Sequence, residues 1–418
     1  MGRLRIAMLT NNYKPFVGGV PVSIDRLARG LRELGHEVYV FAPTYEGQSE
    51  EPYVIRYRSR PKKLKGQFIV PDIFDPIIWR TFEDMPFDLI HVHHPMLMGY
   101  AAYVLGKLRK IPIVYTYHTR YEQYLHYLKP YEILSTHVHK TSFTPMRLLE
   151  NFLLENCSQR LLIAHNRLFM NQCDLIFAPS QSMKQYLEEV GVTTAIEVLP
   201  TGITEEDFTH DAKQTAETRR RYLQGKEFLF CTVSRLEPEK NLEFLLRGVK
   251  LLREQVGDCF RVLIIGDGSQ RGELIRLAED MDLSHNVEFC GRIAQDELRN
   301  YYHACDLFLF TSRSETQGIV LIEAMAAGLP VVAVSASGVD DVVWDGITGF
   351  RTKEDVHQWS VMVKYLMLNA GLRERIKRQV RDEARKYLAS NIALRAEKCY
   401  QNIIGQLRLA TGYEKRIG

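Results

Sequence analysis

The amino-acid sequence predicts an α/β protein made of two doubly wound, Rossmann-like domains. Its 418 residues exceed the roughly 250 to 300 at which a single hydrophobic core stops growing. In both halves, short apolar runs alternate with segments whose apolar residues have helical spacing, which is typical of parallel strands joined by helices. We therefore expect an N-terminal domain over residues 1–203, a C-terminal domain over residues 204–390 and a final helix over residues 391–418.

The first half opens with a strand, a glycine loop and a helix. RIAMLT is the strand, Gly18 and Gly19 lie in the loop, and SIDRLARGLRELGH has the spacing of a helix. The next predicted strands are EVYVFAP, DLIHVHHP and IPIVYTYH, with the helical stretch MGYAAYVLGKLRK between the last two. Residues 121–171 favour an extended helical region, and DLIFAPS and IEVLPTGI close this half.

A polar stretch over residues 204–225 has no sustained apolar face and separates the two halves, with the linker at its beginning. The pattern then restarts with the strands EFLFCTVSR, FRVLIIGDGS, NVEFCGR, CDLFLFTSRSE and PVVAVSASG. The intervening helices are NLEFLLRGVKLLREQ, ELIRLAEDMDL and VLIEAMAAGL, and the stretch from about Asp355 to the end is helical in composition. This order is the one expected of a second doubly wound domain.

Composition and charge exclude several classes of protein. Apolar residues make up 45% and charged residues 25%, as in soluble globular proteins, and a formal net charge of +3 gives no reason to expect nucleic acid as a partner. The 7 cysteines are scattered without a C-x-x-C pair, which favours a reduced, cytoplasmic protein. Because no secretion signal and no run of 18 uncharged apolar residues is present, we expect no membrane span.

Ligands of open α/β sheets bind beyond the carboxyl ends of the strands, so the residues that follow strands are the candidates for a site. Gly18 and Gly19 allow backbone N–H groups to approach an anionic oxygen, unless they form a plain tight turn. Arg235 and Lys240 follow the strand EFLFCTVS. Two cations on one loop could clamp a diphosphate at a helix start, and solvated surface charge is the alternative interpretation.

After the strand FRVLIIG, Gly266, Asp267 and Gly268 resemble half of a dinucleotide fingerprint. Arg271 stands where the fingerprint has its third glycine, so a dehydrogenase is not indicated. The glycine pair then permits either a close backbone approach to a nucleotide or a turn.

The segment SETQGIVLIEAMAAGLPVV carries two glutamates around the start of a predicted helix. Glu315 lies in the loop and Glu323 on the helix, while Gln317, Gly318 and Ile319 offer the free N–H groups of the helix start. Such a helix start favours anionic or hydroxyl-rich ligands. A sugar could bind Glu315 and these amides, and ribose hydroxyls could donate to Glu323, whereas two ordinary surface glutamates are the alternative.

Histidines cluster at the ends of two predicted strands. Alternation along DLIHVHH places His91 and His93 on one face, and His94 follows. No carboxylate or cysteine accompanies them at ligand spacing, so a strand-end site facing an acceptor is favoured over a zinc centre. His118 ends the strand IPIVYTY and is either a core histidine satisfied by hydrogen bonds or a functional one. No D-x-D motif flanked by strands is present, so we expect cations and helix N-termini, rather than a metal, to neutralise the diphosphate.

A basic block over residues 53–65, YVIRYRSRPKKLK, contains cations and no acid. Its cations are Arg56, Arg58, Arg60, Lys62, Lys63 and Lys65. At about 1 kcal/mol for each basic residue near an anionic leaflet, the block could hold the protein at a membrane surface, and a solvated loop is the alternative. The stretch from about Met146 to Asn171 mixes Leu, Phe, Ile and Arg and could form a second contact or pack in the core.

Together these motifs resemble glycosyltransferase family 4, and they occur in that family's order along nearly the whole chain. The resemblance implies the GT-B fold, with two Rossmann-like domains facing across a cleft and the C-terminal helix returning to the N-terminal domain. It also implies a retaining transfer of a sugar from a nucleotide diphosphate, with no metal and no cofactor. In this family Arg235 and Lys240 would stabilise the leaving diphosphate, and Gly19 would contact it from the other domain.

The resemblance implies roles for the remaining candidates as well. Glu315 and the amides of Gln317 to Ile319 would hold the transferred sugar, and Glu323 would bind ribose. Gly291, Arg292 and Ile293 would border the base, with Gly266 in the neighbouring turn. His118 would reach the donor sugar near the reaction centre.

The string YHTRYEQYLHY and the ETQG form of the loop are similar to the 1,2-diacylglycerol 3-glucosyltransferases within the family. This similarity implies UDP-glucose as the donor, a lipid or other hydroxyl acceptor, and association with the inner face of the membrane. Arg58, Lys62, Lys63 and Lys65 would meet the anionic surface, and His93 and His94 would face the acceptor. Two alternatives remain, a soluble family member acting on a glycan or small polyol with another nucleotide sugar, and a non-catalytic nucleotide-sugar-binding protein. The sequence leaves the oligomeric state open.

Overall fold

The computed structural model describes residues 2–16, 18–64, 68–121 and 159–411. Its contacts divide the chain into two compact units, Met1–Pro200 with Ile392–Gly418, and Thr201–Asn391. The predicted helical region 121–171 is described at residue 121 and from residue 159 onwards, and Lys65 lies outside the described residues. None of the helices in the described ranges is long and apolar enough to cross a membrane.

The first unit is built on a parallel sheet. Its strands are β1 (Arg5–Leu9), β2 (Glu37–Pro43), β3 (Val54–Tyr57), β6 (Leu89–Val92), β7 (Ile113–Thr116), β8 (Leu175–Ala178) and β9 (Ile196–Val198), in the order β3-β2-β1-β6-β7-β8-β9. β4 (Ser59–Leu64) and β5 (Phe68–Pro71) form a separate antiparallel pair. Its helices are α1 (Gly19–Glu33), α2 (Pro76–Asp84), α3 (Met98–Arg109) and α4 (Gln181–Glu189), and residues 159–170 are also helical.

The C-terminal helix α12 (Ala389–Thr411) packs against this first unit. Its residues Ala393, Ala396 and Tyr400 are fully buried in the same core cluster as Ile6 and Val38 of the sheet. The helix therefore returns to the N-terminal domain, as the family resemblance implies.

The second unit repeats the architecture with a six-stranded parallel sheet. Its strands are β10 (Phe228–Val233), β11 (Phe260–Ile265), β12 (Val287–Gly291), β13 (Leu307–Phe310), β14 (Val331–Val334) and β15 (Gly349–Thr352), in the order β12-β11-β10-β13-β14-β15. Its helices are α5 (Ala212–Leu223), α6 (Leu242–Val256), α7 (Arg271–Asp280), α8 (Gln295–Ala304), α9 (Ile319–Ala326), α10 (Val356–Leu368) and α11 (Ala370–Arg385), with short 3₁₀ turns at Glu205–Phe208 and Pro238–Lys240. Strands such as β13 and β14 are buried throughout, as in parallel sheets covered on both faces.

The polar stretch 204–225 is part of the second unit, which begins at Thr201, close to the predicted linker. It forms α5, whose N-cap Asp211 accepts hydrogen bonds from the N–H groups of Lys213 and Gln214. Arg219 holds the helix to Asp306 through an ion pair of 3.1 Å. Tyr222, near the end of the helix, is buried in the core of the second unit, but the helix has no continuous apolar stripe, so apolar periodicity does not reveal it.

The basic block is also organised differently from the predicted loop. Residues 54–57 are strand β3 and residues 59–64 are strand β4. Arg56 is mostly buried and pairs with Glu51 at 3.3 Å, so it is not available to a surface. Arg58 pairs with Asp75 at 3.2 Å and keeps 70% of its side chain exposed.

The chain order reverses once in each sheet. In the first sheet β1 lies between β2 and β6, and in the second β10 lies between β11 and β13. Such a switch point leaves a crevice beyond the carboxyl ends of the two strands concerned. The residues that follow β1 and β6 in the first unit, and β10 and β13 in the second, are therefore placed to bind ligands.

Candidate active site

The switch point of the second sheet brings Lys240 and Glu315 together. Lys240 ends the 3₁₀ turn after β10, and Glu315 lies in the loop between β13 and α9. The Lys240 Nζ atom is 2.5 Å from Glu315 Oε1, and the two side chains expose 11 and 16% of their surface. Two residues distant in sequence thus form a largely buried ion pair at the carboxyl edge of the sheet.

Hydrogen bonds between the two loops fix the position of this pair. The Thr311 hydroxyl donates to the Lys240 carbonyl at 3.0 Å. The Arg313 N–H and the Ser312 hydroxyl both donate to the Glu239 carbonyl, at 3.0 and 3.3 Å. Because the donors follow β13 and the acceptors follow β10, the register of the sheet sets the geometry of the ion pair.

Arg235, the other cation predicted after β10, has a more open environment. Its Nη2 donates to Glu239 Oε1 at 2.8 Å, and the side chain is 52% exposed. Exposed ion pairs contribute about 0 to 1 kcal/mol. Arg235 can therefore exchange Glu239 for an anionic ligand at a small cost in free energy.

The glycines after β11 shape the loop that carries Arg235. Gly266 has φ of 137°, and a Cβ atom there would lie 1.8 Å from the Ser234 carbonyl oxygen. A Cβ atom at Gly268 would lie 2.4 Å from the Leu236 carbonyl oxygen. The sequence leaves open a turn or a close approach to a nucleotide. The structure adds a third reason for these glycines, because they allow two loops to approach each other.

The start of α9 is held by a side-chain amide. Gly318 caps the helix in the left-handed conformation, with φ of 72°, and Ile319 is its first residue. The Gln317 side chain accepts from the Thr201 N–H at 2.6 Å and donates to the Thr201 carbonyl at 3.0 Å. Gln317 thus uses its side chain to hold the loop, which leaves its backbone as the part that could meet a ligand.

Glu323 lies on α9 and is 4% exposed. Its Oε1 accepts from Gln295 Nε2 at 3.0 Å, and its Oε2 accepts from the Tyr302 hydroxyl at 3.4 Å. Burial, followed by the charge of Glu323, raises the pKa of Tyr302 well above its usual value. Any ribose contact by Glu323 would share a carboxylate that already accepts from Gln295 and Tyr302, and Gln295 lies beside that position.

The sequence patterns do not predict Gln295 and Tyr302 as residues of the site. Gln295 begins the helix that follows β12, so the rule that ligands gather at strand ends would have pointed to it. Tyr302 carries no such signal. Arg292 and Ile293 also follow β12, and the Arg292 Nε atom is 3.7 Å from Asp267 Oδ2.

In the first unit, the histidines gather beyond β6 and β7, beside the switch point. The His93 Nδ1 and His118 Nε2 atoms are 2.9 Å apart, and His94 Nδ1 accepts from the Asn11 N–H at 3.1 Å. The rings of His91 and His93 have centroids 4.2 Å apart, in keeping with their predicted common face. His91 is a core residue, with its Nδ1 2.8 Å from the Tyr400 hydroxyl.

Burial makes these imidazoles neutral. It lowers the pKa of His91, His94 and His118 to about 3 and also lowers the pKa of His93. A neutral imidazole offers one donor and one acceptor, which suits hydroxyl groups. Within the described ranges, no group of three His, Cys, Asp or Glu side chains is placed to hold a metal ion.

The glycine loop of the first unit lies at the same sheet edge. Gly18 precedes α1 and Gly19 begins it. A Cβ atom at Gly19 would have no heavy atom within 4 Å, so the helix start is open to an approaching group. The predicted order of strand, glycine loop and helix is confirmed.

Comparisons with known proteins give a consistent result. A model of Glycosyltransferase Family 4 matches residues 17–207, and a model of glycosyl transferases group 1 matches residues 214–383. The chain is 28% identical over 364 residues to an alpha-monoglucosyldiacylglycerol synthase of Acholeplasma laidlawii, covering 84% of this chain and 86% of that protein. It is 30% identical over 383 residues to a sulfoquinovosyl transferase of Arabidopsis thaliana, covering 89% and 68% respectively.

Solved structures share the fold at lower identity. Anabaena HepE in complex with UDP and glucose has a TM-score of 0.71 at 18% identity, covering 96% of this chain and 100% of that one. The sucrose-phosphate synthase of Thermosynechococcus elongatus has a TM-score of 0.73 at 19% identity, with the same coverage. The two Rossmann-like sheets are those of the GT-B fold, and by its match to the family models and to these relatives the chain belongs to glycosyltransferase family 4.

Proposed function

We propose that this protein is a retaining glucosyltransferase that moves glucose from UDP-glucose to a hydroxyl group of diacylglycerol or a related lipid. The observation that carries the proposal is the Lys240–Glu315 pair at the switch point of the second sheet. A fixed cation at this edge of the sheet suits a departing diphosphate. The choice of sugar and acceptor is supported by the two alpha-monoglucosyldiacylglycerol synthases, each 28% identical over more than four fifths of this chain.

In the proposed reaction, the bond between the anomeric carbon of glucose and the β-phosphate oxygen breaks. The acceptor oxygen bonds to the same face of that carbon, and its proton passes to the departing phosphate, so UDP leaves. Lys240 and Arg235 would neutralise the charge that develops on the leaving oxygen, with no metal and no cofactor. Preorganised charges of this kind account for a large part of the rate enhancement in many enzymes.

The other candidates would bind the donor. Glu315 would keep Lys240 in place and accept a hydrogen bond from a sugar hydroxyl, together with the amides at the start of α9. Glu323 and Gln295 would hold the ribose. His118 would contact the sugar as a neutral imidazole, since its pKa of about 3 leaves it uncharged at neutral pH.

We also propose that the protein docks on an anionic membrane, and that an apolar face of the first unit is the main contact. This docking face consists of the exposed sides of α3 and of the helical residues 159–170, which are joined by a 2.6 Å hydrogen bond between Tyr100 Oη and His165 Nε2. Its exposed apolar residues are Tyr100, Tyr103, Val104, Leu108, Leu161 and Leu168. The three leucines each expose between 65 and 71% of their surface.

The charge of the docking face suits anionic lipid. Residues 98–110 and 159–170 contain no acid. Their exposed cations are Lys107, Arg109, Lys110, Arg160 and Arg167. Apolar side chains rimmed by Lys and Arg are typical of surfaces that lie in the membrane interface. The basic block would play a smaller part, because Arg56 is mostly buried and Arg58 pairs with the mostly buried Asp75. On the docking face, Arg109 has the exposed Glu83 as its partner, at 3.6 Å.

The activity is tested with purified protein and a panel of nucleotide sugars, offered with lipid acceptors and with aqueous glycans or polyols. Products are identified by mass spectrometry, and the anomeric configuration by NMR. We expect an α-glucoside of diacylglycerol from UDP-glucose. Transfer to a water-soluble acceptor alone would refute the lipid acceptor and leave the glycosyltransferase intact, and binding of nucleotide sugar without turnover on any acceptor would refute the catalytic role.

Docking is tested by sedimentation with anionic vesicles. Changing Leu108, Leu161 and Leu168 to Gln should weaken vesicle binding strongly. A matched control changes Leu368, Leu394 and Leu409 to Gln, three leucines that are also exposed. A second variant, with Arg58, Lys62, Lys63 and Lys65 changed to Gln, should have a smaller effect that grows at low salt. Equal binding by the docking-face variant and the control would refute the assignment.

A further inference from the structure

A polar cavity lies at the edge of the second sheet opposite to the Lys240–Glu315 pair. Asp306 precedes β13 and Pro330 precedes β14, and both line the cavity. Because these strands are parallel, their amino ends lie at the far edge from the loops of the candidate active site. The end of α9 and one face of α11 complete the wall, and the volume is about 300 Å³.

Positive charge dominates this cavity. Its basic residues are His210, His303, Arg373, Lys377 and Arg381, and its acids are Asp306 and Glu374. Asp306 is already paired with Arg219 at 3.1 Å, outside the cavity lining. The cations therefore exceed the acids that are left to neutralise them.

His303 is another residue of the cavity lining. Its buried Nε2 atom has no hydrogen-bond partner in the part of the chain that the structure describes. Burial is the main cause that lowers its pKa to about 4, followed by His210, Arg381 and Lys377, while a hydrogen bond to the Asp207 backbone opposes the shift. An anion in the cavity would offset the neighbouring positive charges and so raise the pKa of His303.

We propose that this cavity binds a phosphate group, as a site separate from the nucleotide-sugar site. Lys377 and Arg381 lie on the same face of α11, one turn apart, and Arg381 donates one hydrogen bond within the described residues, from Nη2 to the Phe208 carbonyl at 3.0 Å. Gly328, with φ of 86°, lets the end of α9 lie close to α11, since a Cβ atom there would be 3.3 Å from Lys377 Cγ. The volume suits a phosphate group that carries a small substituent.

The phosphate group could belong to a small phosphate ester or to a lipid headgroup. Vesicles distinguish these two sources. His303 is observed by NMR while inorganic phosphate is added at constant ionic strength. We expect its pKa to rise as phosphate binds. Vesicles of phosphatidylglycerol that produce the same change, when phosphatidylcholine vesicles do not, would assign the site to a headgroup; a response to inorganic phosphate alone would assign it to a small phosphate ester.

Variants on helix α11 test the assignment to these residues, with a control that removes more charge from the helix than the test variant does. Lys377→Gln, which leaves the Arg381 contact intact, should weaken phosphate binding about tenfold, the usual effect of losing one hydrogen bond to a charged group. The control, Arg375→Gln with Arg378→Gln, removes charge from the same helix outside the cavity lining and should change binding less than about twofold. An equal loss in the control, or a His303 signal that ignores phosphate, overturns the proposal. Lys240→Ala should leave phosphate binding unchanged, so the test does not depend on the proposed transferase activity.

Discussion

Removing either partner of the Lys240–Glu315 pair should destabilise the second unit, and removing both should restore part of the loss. The change is Lys240→Met, Glu315→Gln or the two together. With 11 and 16% exposure and a separation of 2.5 Å, each single variant leaves a largely buried group without its partner. Breaking a fully buried pair costs about 3 to 5 kcal/mol. Since some water reaches this pair, we expect about 2 to 3 kcal/mol for each single variant and a coupling energy of about 1 to 3 kcal/mol.

The tryptophans allow the second unit to be observed by itself. Trp79 belongs to the first unit, whereas Trp344 and the fully buried Trp359 belong to the second. In a Trp79→Phe background, fluorescence during urea unfolding reports the second unit alone. This matters because two units need not unfold in a single two-state transition.

The same two single variants and the double variant can also be compared in their catalytic rates. Each single variant should lower kcat about 10²-fold, because each disturbs the charge that meets the departing diphosphate. The double variant should be no slower than the worse single one, since residues that act as a unit are not additive. Additive losses in the free energy of unfolding would refute the energetic coupling. A changed KM with an unchanged kcat in Lys240→Met would refute the leaving-group role.

Three further predictions concern the nucleotide, the metal and pH. Glu323→Ala should weaken UDP binding measured by calorimetry about tenfold or more; unchanged affinity would remove Glu323 from the ribose site. Activity should survive EDTA, because Arg235 and Lys240 supply the positive charge, and a loss that added Mg²⁺ or Mn²⁺ reverses would contradict this. The first unit should lose stability as the pH falls from about 6.5 towards 3, because burial depresses the pKa of His91, His94 and His118 in the folded state and the unfolded chain then binds more protons. His94→Asn should reduce this pH dependence of unfolding, followed by the fluorescence of Trp79.

Much of the architecture follows from local patterns. The strands of both sheets are short apolar runs that end in polar or glycine residues, and the strand-end rule selects Gly19, Lys240, Glu315 and His118 as candidates. The rule cannot predict which strand ends are neighbours. Lys240 meets Glu315 because β10 lies beside β13, and this order depends on how the strands assemble rather than on any segment alone.

Apart from Gln295, which follows a strand end, the missed features share a physical cause, which is that polar contacts leave no periodic pattern. Helix α5 buries Tyr222 but has no continuous apolar stripe, and its cap and Arg219 help to hold it. Arg56 belongs to a run of cations in the sequence, yet Glu51 neutralises it within the first unit. Gln295 and Tyr302 reach Glu323 from another helix. Charge counted along the sequence therefore overstates the charge that a surface presents.

The Gly266 turn illustrates why a partial motif can mislead. A glycine after a strand is usually attributed to a bound phosphate or to a turn, because both need a backbone without a side chain. At Gly266 the atom that excludes a side chain is the carbonyl oxygen of Ser234, 1.8 Å from where a Cβ would lie, and Ser234 directly precedes Arg235. The glycine is thus required by the loop that carries a candidate catalytic cation, whatever nucleotide binds nearby. Half of a dinucleotide fingerprint can arise in this way in any doubly wound domain where neighbouring strand-end loops pack backbone to backbone.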